Sequence, residues 1–390
     1  MLALFTITMS YLRLVTLLTF LLSTSAWACE FKSVTFHNNF SAAGLDSCEQ
    51  TGMFEYELWI KPENTPINPS AWYAFQVSAT HDQQIYVTIR YKDKGRHRYT
   101  PKVSQDGQQW QTLAHEVTTG RIDGKRHPKS VSFQLQVSKT PVWVSAQEII
   151  NYDHYNRWMI QLEQAHDLKR YQVSESVDKR AIWALESRAD SNEWLILIGR
   201  QHPPEVTGAL GMMPFVETVL SALPVAEKFR EQYNILIIPL VNPDGVERGH
   251  WRHNVGGKDL NRNWGELTEP EVIGIHNRFQ EIVKQGGKIV YAVDFHSTWR
   301  SLFYTMPEDY DLKNPTFSSR WLASLAQTLP NFEVDERPGI SKNPGVFKQY
   351  IADAYGVHSV TYEVGDRSDR NEIRLVAKTS AMLLMKQMLK

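Results

Sequence analysis

Between about Trp72 and Val137, hydrophobic and polar side chains alternate with period two. Phe75, Val77 and Ala79 are separated by Gln76 and Ser78, and Ile85, Val87, Ile89 and Tyr91 by Tyr86, Thr88 and Arg90. Val131, Phe133, Leu135 and Val137 repeat the pattern against Ser132, Gln134 and Gln136. Successive side chains of a strand point to opposite faces, so each run presents one apolar face to a core. Lys94-Gly95 and Asp106-Gly107 supply turns between the runs. The pattern predicts an antiparallel β-sandwich over residues 29–150.

After about Asn151 the period changes. Trp194 to Ile198, Ile235 to Leu240, Ile289 to Phe295 and Ser359 to Val364 are short continuous apolar runs, the signature of strands buried on both faces. Leu210 to Leu220 reads as a helix, with Pro214 a candidate kink. Thr268-Glu269-Pro270-Glu271 reads as a capping box opening a helix with Val272, Ile275, Phe279 and Ile282 on one face. A C-terminal helix carries Ile373, Val376, Ala377, Ser380 and Leu384 on one face. Strands alternating with helices predict an α/β domain over residues 151–390, its sheet mixed but largely parallel and flanked by helices.

Residues 1–28 stand outside both domains. Arg13 is their only charge, Leu14 to Leu22 is apolar apart from Thr16 and Thr19, and Ala26-Trp27-Ala28 fits a cleavage site. Met9 offers an alternative start. The run is short of the ~20 residues that span a bilayer, and no later stretch reaches that length either. Cleavage after Ala28 would expose Cys29, but Ala26 and Trp27 fit a lipid-attachment signal poorly. An exported protein, periplasmic or secreted and without a stable membrane span, is expected. In an oxidising compartment the chain's two cysteines, Cys29 and Cys48, read as one disulfide. Closing a loop of that length stabilises a fold by about 3 kcal/mol.

Composition removes two classes of function. Lys and Arg number 42 against 43 Asp and Glu, so the basic excess of a nucleic-acid binder is missing. With 12 Trp, 16 Tyr and 16 Phe the chain has too many apolar rings to stay disordered. Nothing in the pattern fixes an oligomeric state.

Candidate chemistry gathers at the ends of the buried strands. His202-Pro203-Pro204-Glu205 follows the Trp194 run, and a histidine and a carboxylate three apart on a turn can face one metal ion. Taken alone this spacing is common surface decoration. Asp294-Phe295-His296 ends a second buried run, however, and Glu363 ends a third. Carboxyl ends of neighbouring strands are where α/β sheets place their sites. His115-Glu116 lacks the second histidine of a zincin motif, and Ser176-Val177-Asp178-Lys179 lacks the partner motifs of a Ser-x-x-Lys hydrolase.

Asn242-Pro243-Asp244-Gly245-Val246, then Arg252 and Gly257-Lys258-Asp259-Leu260-Asn261-Arg262-Asn263-Trp264, complete an ordered set. With it the chain from about Asn151 onward resembles the zinc metallocarboxypeptidases of the carboxypeptidase A type. It is closest to the subgroup that includes the cytosolic carboxypeptidases, which also carries a β-sandwich before the catalytic domain.

The resemblance implies His202, Glu205 and His296 as ligands of one Zn²⁺, and Asp259 as the carboxylate that orients a ligand histidine, its alternative being a loop or helix cap. It implies Glu363 as the general base toward metal-activated water and Arg252 as the oxyanion arginine. Asn261 and Arg262 match the pair that grips the terminal carboxylate, so a peptide with a free C-terminal carboxylate is the implied partner. Two departures stand out. Pro203-Pro204 cannot supply the arginine of pancreatic-type members, and their mobile-loop tyrosine has only Tyr350 and Tyr355 as candidates, both better read as core. His250 and His253 read as solvated loop histidines.

Lys348 lies in the segment that lines the terminal side-chain pocket in this family. Facing the pocket it would favour C-terminal Glu or Asp; facing solvent it would leave Val346 or Phe347 to set an apolar preference. Two alternatives compete with the peptidase. One is an amidohydrolase on the same scaffold, acting on N-acyl amino acids or peptidoglycan stem peptides. The other is a non-enzymatic binding protein on a dead peptidase, which should have lost a ligand or the base.

Overall fold

The computed structural model describes residues 27–113, 117–121 and 128–390. The expected leader, as far as Ala26, and the His115-Glu116 pair lie outside the described residues.

Two sheets form the N-terminal part. A six-stranded sheet runs in the order Trp27–Glu30, Val34–His37, Ala74–Ala79, Val142–Ser145, Lys102–Ser104, Gln111–Thr112. A five-stranded sheet runs Ser47–Gln50, Glu55–Ile60, Gln83–Tyr91, Pro128–Val137, Val117–Arg121. Phe36, Phe75, Val77 and Val144 of the first share one core with Tyr56, Leu58, Val87, Ile89 and Phe133 of the second. The alternating residues are thus the inner faces of a sandwich. One pair departs from the antiparallel expectation: Glu55–Ile60 runs parallel to Gln83–Tyr91. Between them the chain crosses to the other sheet as Ala74–Ala79 and reverses again, so both strands enter from the same end. The disulfide Cys29–Cys48 joins the edge strands of the two sheets, with Cα atoms 5.9 Å apart.

The C-terminal part is an eight-stranded mixed sheet. Its order is Lys169–Glu175, Ala181–Ser187, Asn234–Ile238, Glu193–Gly199, Lys288–Thr298, Ser359–Gly365, Leu302–Thr305, Glu336–Pro338. The four central strands are mutually parallel. The continuous apolar runs are explained by cover on both faces: Leu195 and Leu197 pack among the helices Val206–Leu220 and Arg370–Met388, while Ile196 and Ile198 pack with Pro270–Lys284 and Phe347–Tyr355.

The helix expected from Leu210 begins at Val206 and continues through Pro214 without a break. Its Gly208 lies against the strand Lys288–Thr298, where an added Cβ would stand 2.7 Å from the His296 carbonyl oxygen. On the C-terminal helix Ile373, Val376, Ala377, Ser380 and Leu384 are all buried, and Asp369 caps the first turn. The capping box at Thr268 does not form. Glu269 takes the N-cap position but its side chain does not cap the helix, Asn263 Oδ1 accepts from the Thr268 and Glu269 amides, and Glu271 is buried, hydrogen-bonded by Asn254. Tertiary partners have taken over both ends of that local motif. Among the described residues no single helix is long and apolar enough to cross a membrane.

Candidate active site

Three of the central parallel strands deliver the site at their carboxyl ends. After Glu193–Gly199 the chain turns sharply at Arg200, whose φ of 53° lies in the left-handed region. The buried Arg200 side chain locks the turn by donating from Nε to the Pro203 carbonyl at 2.9 Å. That turn places His202, and Glu205 follows as the N-cap residue of the Val206–Leu220 helix, where the helix dipole favours a negative group. His296 and Glu363 are cross-strand neighbours in the parallel ladder.

The buried side chains of His202, Glu205 and His296 bring one ligand atom each within 4.8 Å of the others. His202 Nδ1 is 2.9 Å from Glu205 Oε1, and His296 Nδ1 is 2.7 Å from Glu205 Oε2. Behind each imidazole stands a carboxylate: Asp259 Oδ1 lies 3.0 Å from His202 Nε2, and Asp294 Oδ2 lies 2.8 Å from His296 Nε2. Carboxylates on both Nε2 atoms leave the two Nδ1 lone pairs to converge with Glu205, the donor set and orientation of a catalytic His₂Glu zinc site. The residues fit that metal. Burial works against the charged form of Glu205, but the two imidazoles overcome it and hold the carboxyl well below the usual range. Burial would likewise depress His296, and Asp294 with Glu205 drives it well above the ordinary value instead.

Asp259 Oδ1, beside His202 Nε2, also caps the short helix Leu260–Arg262 by accepting from the Asn261 amide at 3.0 Å, so the geometry is compatible with both expected readings at once. Its second oxygen receives Arg252 Nε at 2.7 Å. Glu363 is half-buried, and its enclosed Oε2 has no hydrogen-bond partner among the described residues. Burial first, and the negative Glu205 second, push its carboxyl up to about 7.

A cavity of about 550 Å³ joins these groups to Arg262, Lys348, Tyr304 and Arg98. Arg262 is exposed, whereas Asn261 is buried, with Nδ2 3.1 Å from His296 Nε2 and Oδ1 accepting from the Phe347 amide at 2.8 Å. Lys348 does not point to solvent. It is buried in the cavity wall, donating from Nζ to the Gly339 and Thr305 carbonyls at 2.7 and 3.1 Å. Burial pushes its ammonium down to about 8.

His253, Tyr304, Arg98 and Asp294 differ from expectation or were not foreseen. His253 is buried rather than solvated, because Asn64 Oδ1 meets its Nδ1 at 2.7 Å. Tyr350 and Tyr355 hydrogen-bond each other at 3.0 Å on the helix-covered face and do not line the cavity; Tyr304 does, from the strand antiparallel to that of Glu363. Arg98 arrives from the N-terminal part and forks onto Asp366 at 2.7 and 2.9 Å while donating to the Ser297 carbonyl at 2.9 Å. Asp294 alone carried a signal in the sequence, since two positions before His296 on a strand is the same face.

The family model described as zinc carboxypeptidase, peptidase M14, matches residues 155–375. Cytosolic carboxypeptidase 6 of Mus musculus is 25% identical over 282 residues, covering 67% of this chain and 52% of its own length, so the chain spans about half of that relative. A metallocarboxypeptidase from Burkholderia cenocepacia superposes with a TM-score of 0.74 at 17% identity, covering 91% of this chain and 98% of that one. A metallocarboxypeptidase from Pseudomonas aeruginosa, in complex with (2-guanidinoethylmercapto)succinic acid, gives a TM-score of 0.72 at 18% identity, covering 90% and 98%. These two establish likeness of fold across both the sandwich and the mixed sheet.

Proposed function

Because the chain belongs to the zinc carboxypeptidase family, we propose that it removes the C-terminal residue of peptides, with His202, Glu205 and His296 holding one zinc ion and Glu363 serving as the general base. The observation that carries this reading is a single cavity in which the His₂Glu donor set, the Glu363 carboxylate and Arg262 meet. When bound, zinc supplies Lewis acidity, polarising the scissile carbonyl and lowering the pKa of water toward about 7. Glu363, enclosed at Oε2, takes the proton of the attacking water and delivers it to the leaving amine. Arg252 is tethered to Asp259 through Nε alone, which leaves its two terminal nitrogens for the developing oxyanion. Arg262 forks onto the terminal carboxylate, whereas Asn261, expected beside it in that grip, is buried with its Oδ1 taken by the Phe347 amide and so holds the first residue of the helix Phe347–Tyr355.

Lys348 gives the cavity a positive charge beyond Arg262, which favours an acidic terminal side chain. Export is part of the same proposal. It is supported by the leader-like first 28 residues and by the Cys29–Cys48 disulfide, a bond that persists in oxidising compartments. The activity test is a panel of free-acid peptides, the same peptides amidated, N-acyl amino acids and muropeptides. Turnover confined to the free-acid peptides supports the carboxypeptidase. Fastest turnover of acyl amino acids or stem peptides would replace it with an amidohydrolase.

A further inference from the structure

The loop that carries Arg252 has no regular backbone pairing of its own between the short helix Pro243–Glu247 and Leu260–Arg262. The backbone amides on either side of Arg252 and its own are held by one side chain from the N-terminal part. Glu63 Oε2 accepts from the Trp251 amide at 2.8 Å, and Oε1 accepts from the Arg252 amide at 2.9 Å and the His253 amide at 2.6 Å. Three consecutive backbone N–H groups on one carboxylate form a charge-assisted cradle, stronger per bond than neutral pairs.

The flanks of the loop are fixed from the same side. Trp251 is buried in the sandwich core, its ring so close to Gly95 that an added Cβ there would stand 2.4 Å away. Asn64 binds the His253 ring at 2.7 Å and donates to the Gly257 carbonyl at 3.2 Å. From this backbone the Arg252 guanidinium reaches Asp259, whose other oxygen touches His202. The two terminal nitrogens of Arg252 make no hydrogen bond among the described residues, so the position of its backbone and the one tether at Nε decide where they point.

We propose that Glu63 is the positioning residue for Arg252, which makes the sandwich a working part of the catalytic site. This rests on the oxyanion role assigned to Arg252 above. A merely adhesive contact would alter stability or zinc content, whereas positioning an oxyanion donor acts on kcat with little change in KM.

The test is kinetic, on the full zinc-loaded chain with a free-acid peptide. Glu63→Gln keeps the shape but replaces one acceptor oxygen by a donor facing an amide. It should retain one zinc, leave KM within about threefold and lower kcat by about 10–100-fold, somewhat less than the 10²–10³ typical of losing an oxyanion donor outright. Glu63→Asp, which keeps the charge, should fall between it and wild type; if the glutamine variant fails to load zinc, the aspartate variant carries the same expectation. In the Arg252→Ala background Glu63→Gln should cost nothing further. Wild-type kcat in a zinc-loaded Glu63 variant, or a double variant slowed by the product of the single effects, overturns the proposal while Arg252→Ala remains slow. Unchanged kcat in Arg252→Ala would instead overturn the oxyanion assignment and the proposal together.

Discussion

Glu363 and His296 occupy the same register position on neighbouring parallel strands, so the proposed general base and a proposed metal ligand leave the sheet side by side on one face. Their relation is set by ladder hydrogen bonds rather than by a loop, so a change at one side chain should leave the other in place. Glu363→Gln is therefore expected to fold and bind one zinc per chain while losing turnover, because the carboxamide keeps the shape but cannot take a proton. The expected loss in kcat is at least about 10²–10⁴, the usual worth of a general base. A glutamine variant with most of its activity intact would place the base elsewhere.

Metal content should follow the donor set and the carboxylates behind it. His296→Ala should purify with no stoichiometric zinc. Asp294→Asn keeps the ligand but weakens the acceptor 2.8 Å behind it, so zinc affinity should drop by about 10–100-fold in a chelator competition. Full occupancy in His296→Ala at limiting zinc would sink the ligand assignment.

How much of this was legible in the chain depended on whether position was set locally or by distant pairing. The inner strands were readable because Leu195 and Ile196 belong to opposite cores, which forces an unbroken apolar run. The grouping of His202, Glu205, His296 and Glu363 was readable because the last two close such runs and the first two follow one on the next turn. Glu63 and Arg98 were not, since their roles arise from hydrogen bonds spanning 188 and 268 residues, and no local pattern encodes these. The capping box failed for the converse reason: a sound local motif lost to Asn263 and Asn254, which offered its groups tertiary partners.

Arg262 predicts a strong preference for a free terminus. It is an exposed guanidinium on the cavity wall, and amidation removes the charge and one acceptor that its fork would engage. Amidated peptides should lose at least about 10²-fold in kcat/KM, in keeping with a charged hydrogen bond worth about 1.5–3 kcal/mol and the group then left unpaired. Arg262→Ala should erase most of the difference between the two forms. Equal cleavage of both forms by the wild type would end the exopeptidase reading.

Lys348 makes a prediction in which pH is the variable. Its ammonium already donates to two carbonyls, so it acts on a bound side chain through charge rather than by donating a fresh hydrogen bond. At about 8 Å and an effective dielectric of about 20 such a charge is worth about 2 kcal/mol, roughly thirtyfold, toward C-terminal Glu over Gln, and it opposes Lys by a similar amount. Burial brings this ammonium down to about 8, and kcat/KM reports the groups of the free enzyme. The lysine is charged below that pH and neutral above it, while a substrate glutamate stays ionised throughout. The Glu-to-Gln ratio of kcat/KM should therefore be at its maximum near pH 6.5 and fall toward unity as pH rises through about 8. Lys348→Met should show a low ratio at every pH, and Lys348→Glu should favour C-terminal Lys. A wild-type ratio that stays flat between pH 6.5 and 9.5, or a wild-type enzyme fastest on C-terminal Lys, would remove Lys348 from the specificity pocket.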